Sequence, residues 1–245
     1  MVSLKDDERL DDLFTDQSMK IIQSPTVFSY SIDAVLLADF ASIPLTRGKL
    51  IDLCSGNGVI PLLLSKKTKV PITGVEIQSR LYDMAIRSIE YNNKKEQIQM
   101  IHGDLIDMPK RFGNDKWDLV TVNPPYFTTK HEKHLNKNDY LTIARHEILV
   151  NLEQVIQTSS QLAKSGGKVA MVHRPNRLAD IITLMRAYKL EPKRLRFVYP
   201  KKDKEANILL IEAIRDGKPD LKLLPPLYVF NSDGSYTKEL RELVN

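Results

Sequence analysis

Short apolar runs recur along the chain, at residues 49–54, 70–76, 98–102, 117–122, 168–173 and 208–213. Gly, Pro, Asn or Asp bounds most of them, so each reads as a buried strand. Between them the spacing changes to a helical period. Residues 79–92 put Leu81, Ala85 and Ile89 on one face. Helices are also expected over 34–40 after Ser31-Ile32-Asp33, from Gly58 through Leu64, and over 152–163 and 176–188. Gly166-Gly167 is expected to lead into the 168–173 strand. Residues 195–199 and 208–213 are expected to close the sheet as an antiparallel pair. Residues 19–23 and 26–30 read as a further pair of short strands, and 128–138 as an exposed polar loop.

Strands alternating with helices predict an α/β fold, with a mostly parallel sheet covered by helices on both faces. The division expected is an extension over 1–48, a core over 49–215 and a tail over 216–245, which Tyr228, Val229 and Phe230 would anchor locally.

Composition narrows the class. A chain of 245 residues with 42% hydrophobic and 27% charged content can bury a sizeable core. No apolar run approaches the roughly 20 residues a membrane span needs. Residues 1–20 are acidic and lack the apolar stretch of a signal peptide, so a cytoplasmic protein is expected. One cysteine, Cys54, excludes an intrachain disulfide and a multi-cysteine zinc site. No metal is expected; His131 and His134 have no identifiable carboxylates beside them to complete a site. The net charge of +5 is uneven: residues 186–204 hold eight basic side chains against Glu191 and Asp203. Such a local excess suits a phosphate-bearing partner such as RNA. Lys130, Lys133, Arg194, Arg196, Lys201 and Lys202 are the candidate contacts.

In sheets of this kind, ligands bind beyond the carboxyl ends of the strands. Polar residues converge there. Asp52 to Gly58 is a strand, a glycine turn and the start of a helix, making Asp52, Gly56, Asn57 and Gly58 candidates for a cofactor site. Pro61 stands where a dinucleotide loop has its third glycine, which argues against a pyrophosphate site and a nicotinamide dehydrogenase. Glu76 ends the next strand, where a carboxylate can accept from both hydroxyls of a ribose. Asp104 follows the third strand, placed to accept from an adenine amino group. After the fourth comes Asn123-Pro124-Pro125-Tyr126. Proline restricts both its own backbone and the residue before it, so this turn is rigid. It offers an amide oxygen, a backbone carbonyl and an aromatic face, which together suit a planar group bearing NH2.

Together these residues resemble the class I S-adenosylmethionine-dependent methyltransferases that modify exocyclic or amide nitrogen. Residues 28–38 (FSYSIDAVLLA), 173–178 (HRPNRL) and 195–200 are similar, more narrowly, to the bacterial valine-tRNA adenine-N6 methyltransferases. The resemblance implies a Rossmann-like fold with a seven-stranded sheet, S-adenosylmethionine as cofactor and the adenine beside the anticodon of a tRNA as target. It implies Gly56 and Gly58 against the methionine part, Glu76 on the ribose and Asp104 on the cofactor adenine. Asp33 would help close that pocket. Asn123 and the Pro124 carbonyl would hold the target amino group, with Tyr126 stacked on the target base. Guanine-N2 methylation of ribosomal RNA, glutamine-N5 methylation of a release factor, DNA adenine methylation and a non-catalytic RNA-binding module are the alternatives. The oligomeric state is open.

Overall fold

The computed structural model describes residues 2–13, 16–27, 29–126 and 150–244. Its centre is a sheet whose strands β3 (Leu50–Leu53), β4 (Ile72–Glu76), β5 (Ile98–His102), β6 (Trp117–Val122) and β7 (Ala163–His173) pair in parallel. The chain runs outward from β3 through β4 to β5, then returns to β3's other side with β6 and β7. The direction of winding therefore reverses between β3 and β6, the point at which such sheets open a ligand crevice. Leu53 pairs with both Val75 and Val122, so β3, β4 and β6 end level.

The strands are buried on both faces and accordingly read as continuous apolar runs. Alternate residues serve two cores. Leu50, Ile72 and Leu119 pack under helices α1 (Ile32–Phe40), α2 (Val59–Lys67) and α3 (Ser79–Tyr91). Ile51, Val75 and Val120 pack under α4 (Met108–Phe112), α5 (Leu152–Leu162) and α6 (Leu178–Ala187). This is the period of two that a sheet imposes.

Strand β9 (Ile208–Arg215) runs antiparallel between β7 and β8 (Leu190–Tyr199), which completes the expected seven strands. Two short strands extend the sheet past β8: β10 (Lys222–Leu223) and β11 (Leu227–Tyr228), both parallel to β8. Leu227 and Leu240, the latter in α7 (Lys238–Val244), are fully buried in the core under α1.

The structure differs from expectation at three places. Strand β2 (Asp16–Gln23) pairs not with 26–30 but with β1 (Arg9–Leu13). Ser24 and Thr26 instead fold into a turn whose hydroxyls both donate to Asp7, each at 2.6 Å. Gly166-Gly167 does not precede β7 but lies within it, at a shift of register against β6. A Cβ on Gly167 would fall 2.8 Å from the carbonyls of Lys164 and Trp117, so only glycine fits that bulge. And among the described residues the sheet has nine strands, two short ones beyond the seven expected.

Candidate active site

The carboxyl ends of β3, β4, β5, β6 and β7 surround a cavity of about 430 Å³. That volume lies within the roughly 300–1,000 Å³ of small-molecule sites.

Its floor is the turn after β3. Cys54, Gly56 and Gly58 all take left-handed backbone, with φ of 57°, 55° and 87°. Gly58 also lacks room, since a Cβ there would meet the Ala85 methyl at 3.2 Å. Cys54 bears the same conformation without glycine's freedom, a strain of order 1 kcal/mol or more that the surrounding bonds must hold. Asp52 supplies part of that hold. Its carboxylate accepts from Ser55 Oγ at 2.6 Å and from Thr121 Oγ1 at 2.6 Å, tying the turn to β6. Asp52 has no exposed surface and does not line the cavity, which corrects its place among the cofactor contacts. Complete burial pushes its carboxyl up to about 7, against the two hydroxyl donors. Asn57 lines the cavity, and its amide donates to the Ile22 carbonyl at 3.0 Å, joining the turn to β2.

Glu76 is 5% exposed at the end of β4. It accepts the Gly56 N–H at 2.8 Å and the Gln78 N–H at 2.9 Å, one on each oxygen. Burial raises its carboxyl and these backbone donors oppose the rise. Each oxygen keeps a further lone pair for a ligand. Asp104 caps the short turn after β5, accepting the Ile106 N–H at 3.0 Å, and also lines the cavity. His102 packs on Tyr82, ring centroids 5.2 Å apart, and is not part of the lining.

The opposite wall is Asn123-Pro124-Pro125-Tyr126. The Tyr126 hydroxyl donates to Asn123 Oδ1. The Tyr126 ring meets the edge of His173, centroids 5.2 Å apart at 64°. The Arg174 guanidinium lies over it, Cζ 4.8 Å from the centroid. Burial, then the nearby Arg177, pushes His173 down to about 4, so this imidazole is neutral in the physiological range. Burial and the nearby Asp33 hold the Tyr126 hydroxyl well above its usual range. Asp33 is in the first turn of α1, lines the same cavity and stands 4.0 Å from Arg174 Nη2.

Three lining residues that bear on the chemistry were not singled out from the sequence. Ile77 shows 37% of its surface, an apolar face beside Glu76. Gln78 is 8% exposed, and its Oε1 has no partner among the described residues. Arg174 follows β7. The rule of polar residues at strand ends, applied to one more strand, finds it.

The basic segment looks different once folded. Arg194 pairs with Glu212 at 3.2 Å and lies over the Phe40 ring, Cζ 4.6 Å from its centroid. Arg196 pairs with Glu239 and donates to the Pro225 carbonyl at 2.9 Å. The Arg196 guanidinium fastens the C-terminal segment to the sheet and that of Arg194 ties β8 to β9 and to α1, so neither is proposed as an RNA contact. Lys201 and Lys202 sit in the turn after β8, at the same edge as the cavity; Lys201 reaches the Ser232 carbonyl at 3.4 Å. Lys130, Lys133 and the 128–138 loop lie outside the described residues. Among the described residues, no group of three or more His, Cys, Asp or Glu could hold a metal ion. Nor is any described helix long and apolar enough to cross a membrane.

The chain belongs to the methyltransferase small domain family, which its residues 18–187 match. A tRNA1(Val) (adenine(37)-N6)-methyltransferase of Porphyromonas gingivalis is 29% identical over 210 residues, 82% of this chain and 80% of the relative. One bearing the same name from Christiangramia forsetii is 22% identical, over 94% of this chain and 95% of the relative. Among solved structures, a predicted O-methyltransferase of Agrobacterium tumefaciens superposes with a TM-score of 0.67 at 22% identity, covering 87% of this chain and 95% of that one. Pyrococcus horikoshii TYW2 in complex with MeSAdo gives 0.62 at 11%, covering 88% and 74%. The fold is that of the class I methyltransferases.

Proposed function

We propose that the chain transfers the methyl group of S-adenosylmethionine to adenine N6 of a valine tRNA, beside the anticodon. One observation carries the reading: a single cavity joins the Gly56–Glu76 turn to the Asn123-Pro124-Pro125-Tyr126 wall. A donor held by the first faces an amino group held by the second. The name shared by the relatives from Porphyromonas gingivalis and Christiangramia forsetii supports tRNA as the source of that group. A tRNA substrate places the enzyme in the cytoplasm.

The residues fit the cofactor. Asp33, Glu76 and Asp104 line the cavity against one guanidinium, Arg174, so its field favours a cation such as a sulfonium. Glu76 has lone pairs for the ribose hydroxyls, and Ile77 gives an adenine ring an apolar face. Bound there, S-adenosylmethionine supplies an electrophilic methyl group.

The chain's own part is to make a poor nucleophile attack in line. The N6 lone pair of adenine is delocalised into the ring. Accepting its two N–H bonds on Asn123 Oδ1 and the Pro124 carbonyl favours a pyramidal nitrogen and aims it. The same two oxygens stabilise the positive charge that develops there. S-adenosylmethionine held by Gly56 and Glu76 would supply the methyl carbon and keep the carbon–sulfur electron pair on its sulfur, while Asn123 Oδ1 and the Pro124 carbonyl would hold the nitrogen that loses one N–H proton to water. A base is not required, because the proton is lost from a nitrogen that methylation has already made cationic. Tyr126 stacks on the extruded base and recovers part of the cost of unstacking it. Its hydroxyl takes one of the two lone pairs of Asn123 Oδ1, and so competes there with the target N–H.

The test is radiolabelled transfer to unmodified total RNA and to protein, followed by nucleoside analysis. N6-methyladenosine in the tRNA fraction is expected. Label in a protein glutamine, or as N2-methylguanosine in ribosomal RNA, overturns the reading.

A further inference from the structure

We infer that Arg174 is a positioning residue for methyl transfer, holding the Tyr126 ring against the target base through the flat face of its guanidinium. This role belongs to the amino-group transfer proposed above.

Arg174 is itself held from several sides. Nη1 donates to the Asn207 carbonyl at 2.7 Å, at the start of β9. Nη2 stands 4.0 Å from the Asp33 carboxylate on α1. Its backbone N–H donates to His173 Nδ1 at 2.8 Å, which fixes that imidazole. The steeply inclined imidazole and the guanidinium over the ring, from consecutive residues, together hold Tyr126. A guanidinium is planar, always charged and forked, so it can lie on a ring while its nitrogens reach two separate acceptors. A lysine ammonium keeps the charge but is compact and strongly hydrated, and cannot do both.

The form of this grip suits the exchange at Asn123. A directional hydrogen bond holding Tyr126 would resist the shift that frees Asn123 Oδ1. A cation on a ring face tolerates sliding, so the ring can shift in its own plane, its hydroxyl moving with it, and stay under the guanidinium. Arg174 thus carries the orientation of Tyr126 from the closed arrangement to the base-stacked one. Through Asp33 it also links that ring to the helix that lines the cofactor side.

A double-mutant cycle with Arg174→Lys and Tyr126→Ala tests this, reading kcat at saturating tRNA, KM for tRNA and affinity for S-adenosylhomocysteine. Arg174→Lys alone should lower kcat by about tenfold to a hundredfold, the range for lost positioning. Affinity for S-adenosylhomocysteine should stay within about threefold and the melting temperature should hold. In the Tyr126→Ala background the same substitution should change kcat by less than about twofold, because the group it acts through is gone. Equal losses in both backgrounds overturn the inference. So does a loss of S-adenosylhomocysteine affinity matching the kcat loss, which makes Arg174 a cofactor contact. A raised KM with a shallower salt dependence and intact kcat makes it a phosphate contact and overturns it too. Should the lysine variant melt early, Arg174→Gln, planar but uncharged, takes its place in the cycle. A wild-type enzyme that binds S-adenosylhomocysteine but methylates no RNA overturns the proposed function itself, and this role with it; an additive cycle in an active enzyme overturns only this role.

Discussion

The two walls of the cavity are built in different ways. On the cofactor side Asp52, Glu76 and Asn57 are buried and already satisfied. Asp52 is tied to Ser55 and Thr121, Glu76 to the Gly56 and Gln78 amides, and Asn57 to the Ile22 carbonyl. Low surrounding dielectric makes such a network stiff, because each broken bond strands a buried group. On the target side the one essential acceptor, Asn123 Oδ1, is occupied by the hydroxyl of Tyr126, whose ring rests on a cation and an imidazole. One wall is preformed; on the other an internal hydrogen bond competes with the one to the substrate. Cofactor binding and base capture should therefore be separable by mutation.

The largest separation is expected from Asn123→Ala. It removes an acceptor used only as charge develops on the nitrogen, so transfer should fall by about a hundredfold to a thousandfold or more. Affinity for S-adenosylhomocysteine, measured by calorimetry, should be unchanged. Parallel losses in both would show that the walls are one unit. Next is Glu76→Gln, from the preformed side. It replaces a charged acceptor of two N–H groups with an amide that can accept at only one oxygen. Hydrogen bonds to charged groups contribute about 1.5–3 kcal/mol, so S-adenosylhomocysteine should bind at least about tenfold more weakly. Affinity for tRNA measured without cofactor should hold; a matching loss there breaks the comparison from the other direction.

The two walls were also unequally legible in the sequence. Strands buried on both faces leave continuous apolar runs, so β3 to β6 and the polar residues at their ends, Glu76, Asp104 and Asn123, could be read directly. What failed was whatever depended on partners distant in the chain. Asp52 lies beside the glycine turn in sequence, but its side chain points to Thr121, a residue of another strand. Arg194 and Arg196 count as free charge until Glu212 and Glu239 are folded against them. Strand β1 escaped notice because Arg9-Leu10-Asp11-Asp12-Leu13 is half exposed and its charges hide the alternation. Arg174 lies in the 173–178 match but drew no site role, because only folding shows that Val122 pairs with Met171 and brings His173 and Arg174 out beside Asn123.

A smaller effect sharpens the view of the target side. Tyr126→Phe keeps the stacking ring and removes the hydroxyl that competes for Asn123 Oδ1. A neutral hydrogen bond contributes about 0.5–1.5 kcal/mol, so KM for tRNA should fall by at most about tenfold, with no change in S-adenosylhomocysteine affinity. A rise in KM would mean that the hydroxyl serves the substrate, and that the closed arrangement is not a competitor.

The smallest effect tests the rigidity of the cofactor wall through pH. The Asp52 carboxyl titrates at about 7 in the folded protein against an ordinary 3.8, because burial penalises its charged form. As pH rises from about 4 to 7 the unfolded chain releases this proton while the folded one retains it, so Asp52 increasingly opposes folding, in full above pH 7. Asp52→Asn cannot ionise. It should melt lower than wild type at pH 5, where a protonated Asp52 suits both hydroxyl donors better than an amide does. The difference should shrink or reverse by pH 8. Because Asp52 lies behind the cavity lining, the variant should bind S-adenosylhomocysteine as wild type does across that range. A melting difference independent of pH would place the titration elsewhere. An affinity that fell with the substitution would show that the turn transmits what happens at β6 to the cofactor, and that the wall is less rigid than its bonds imply.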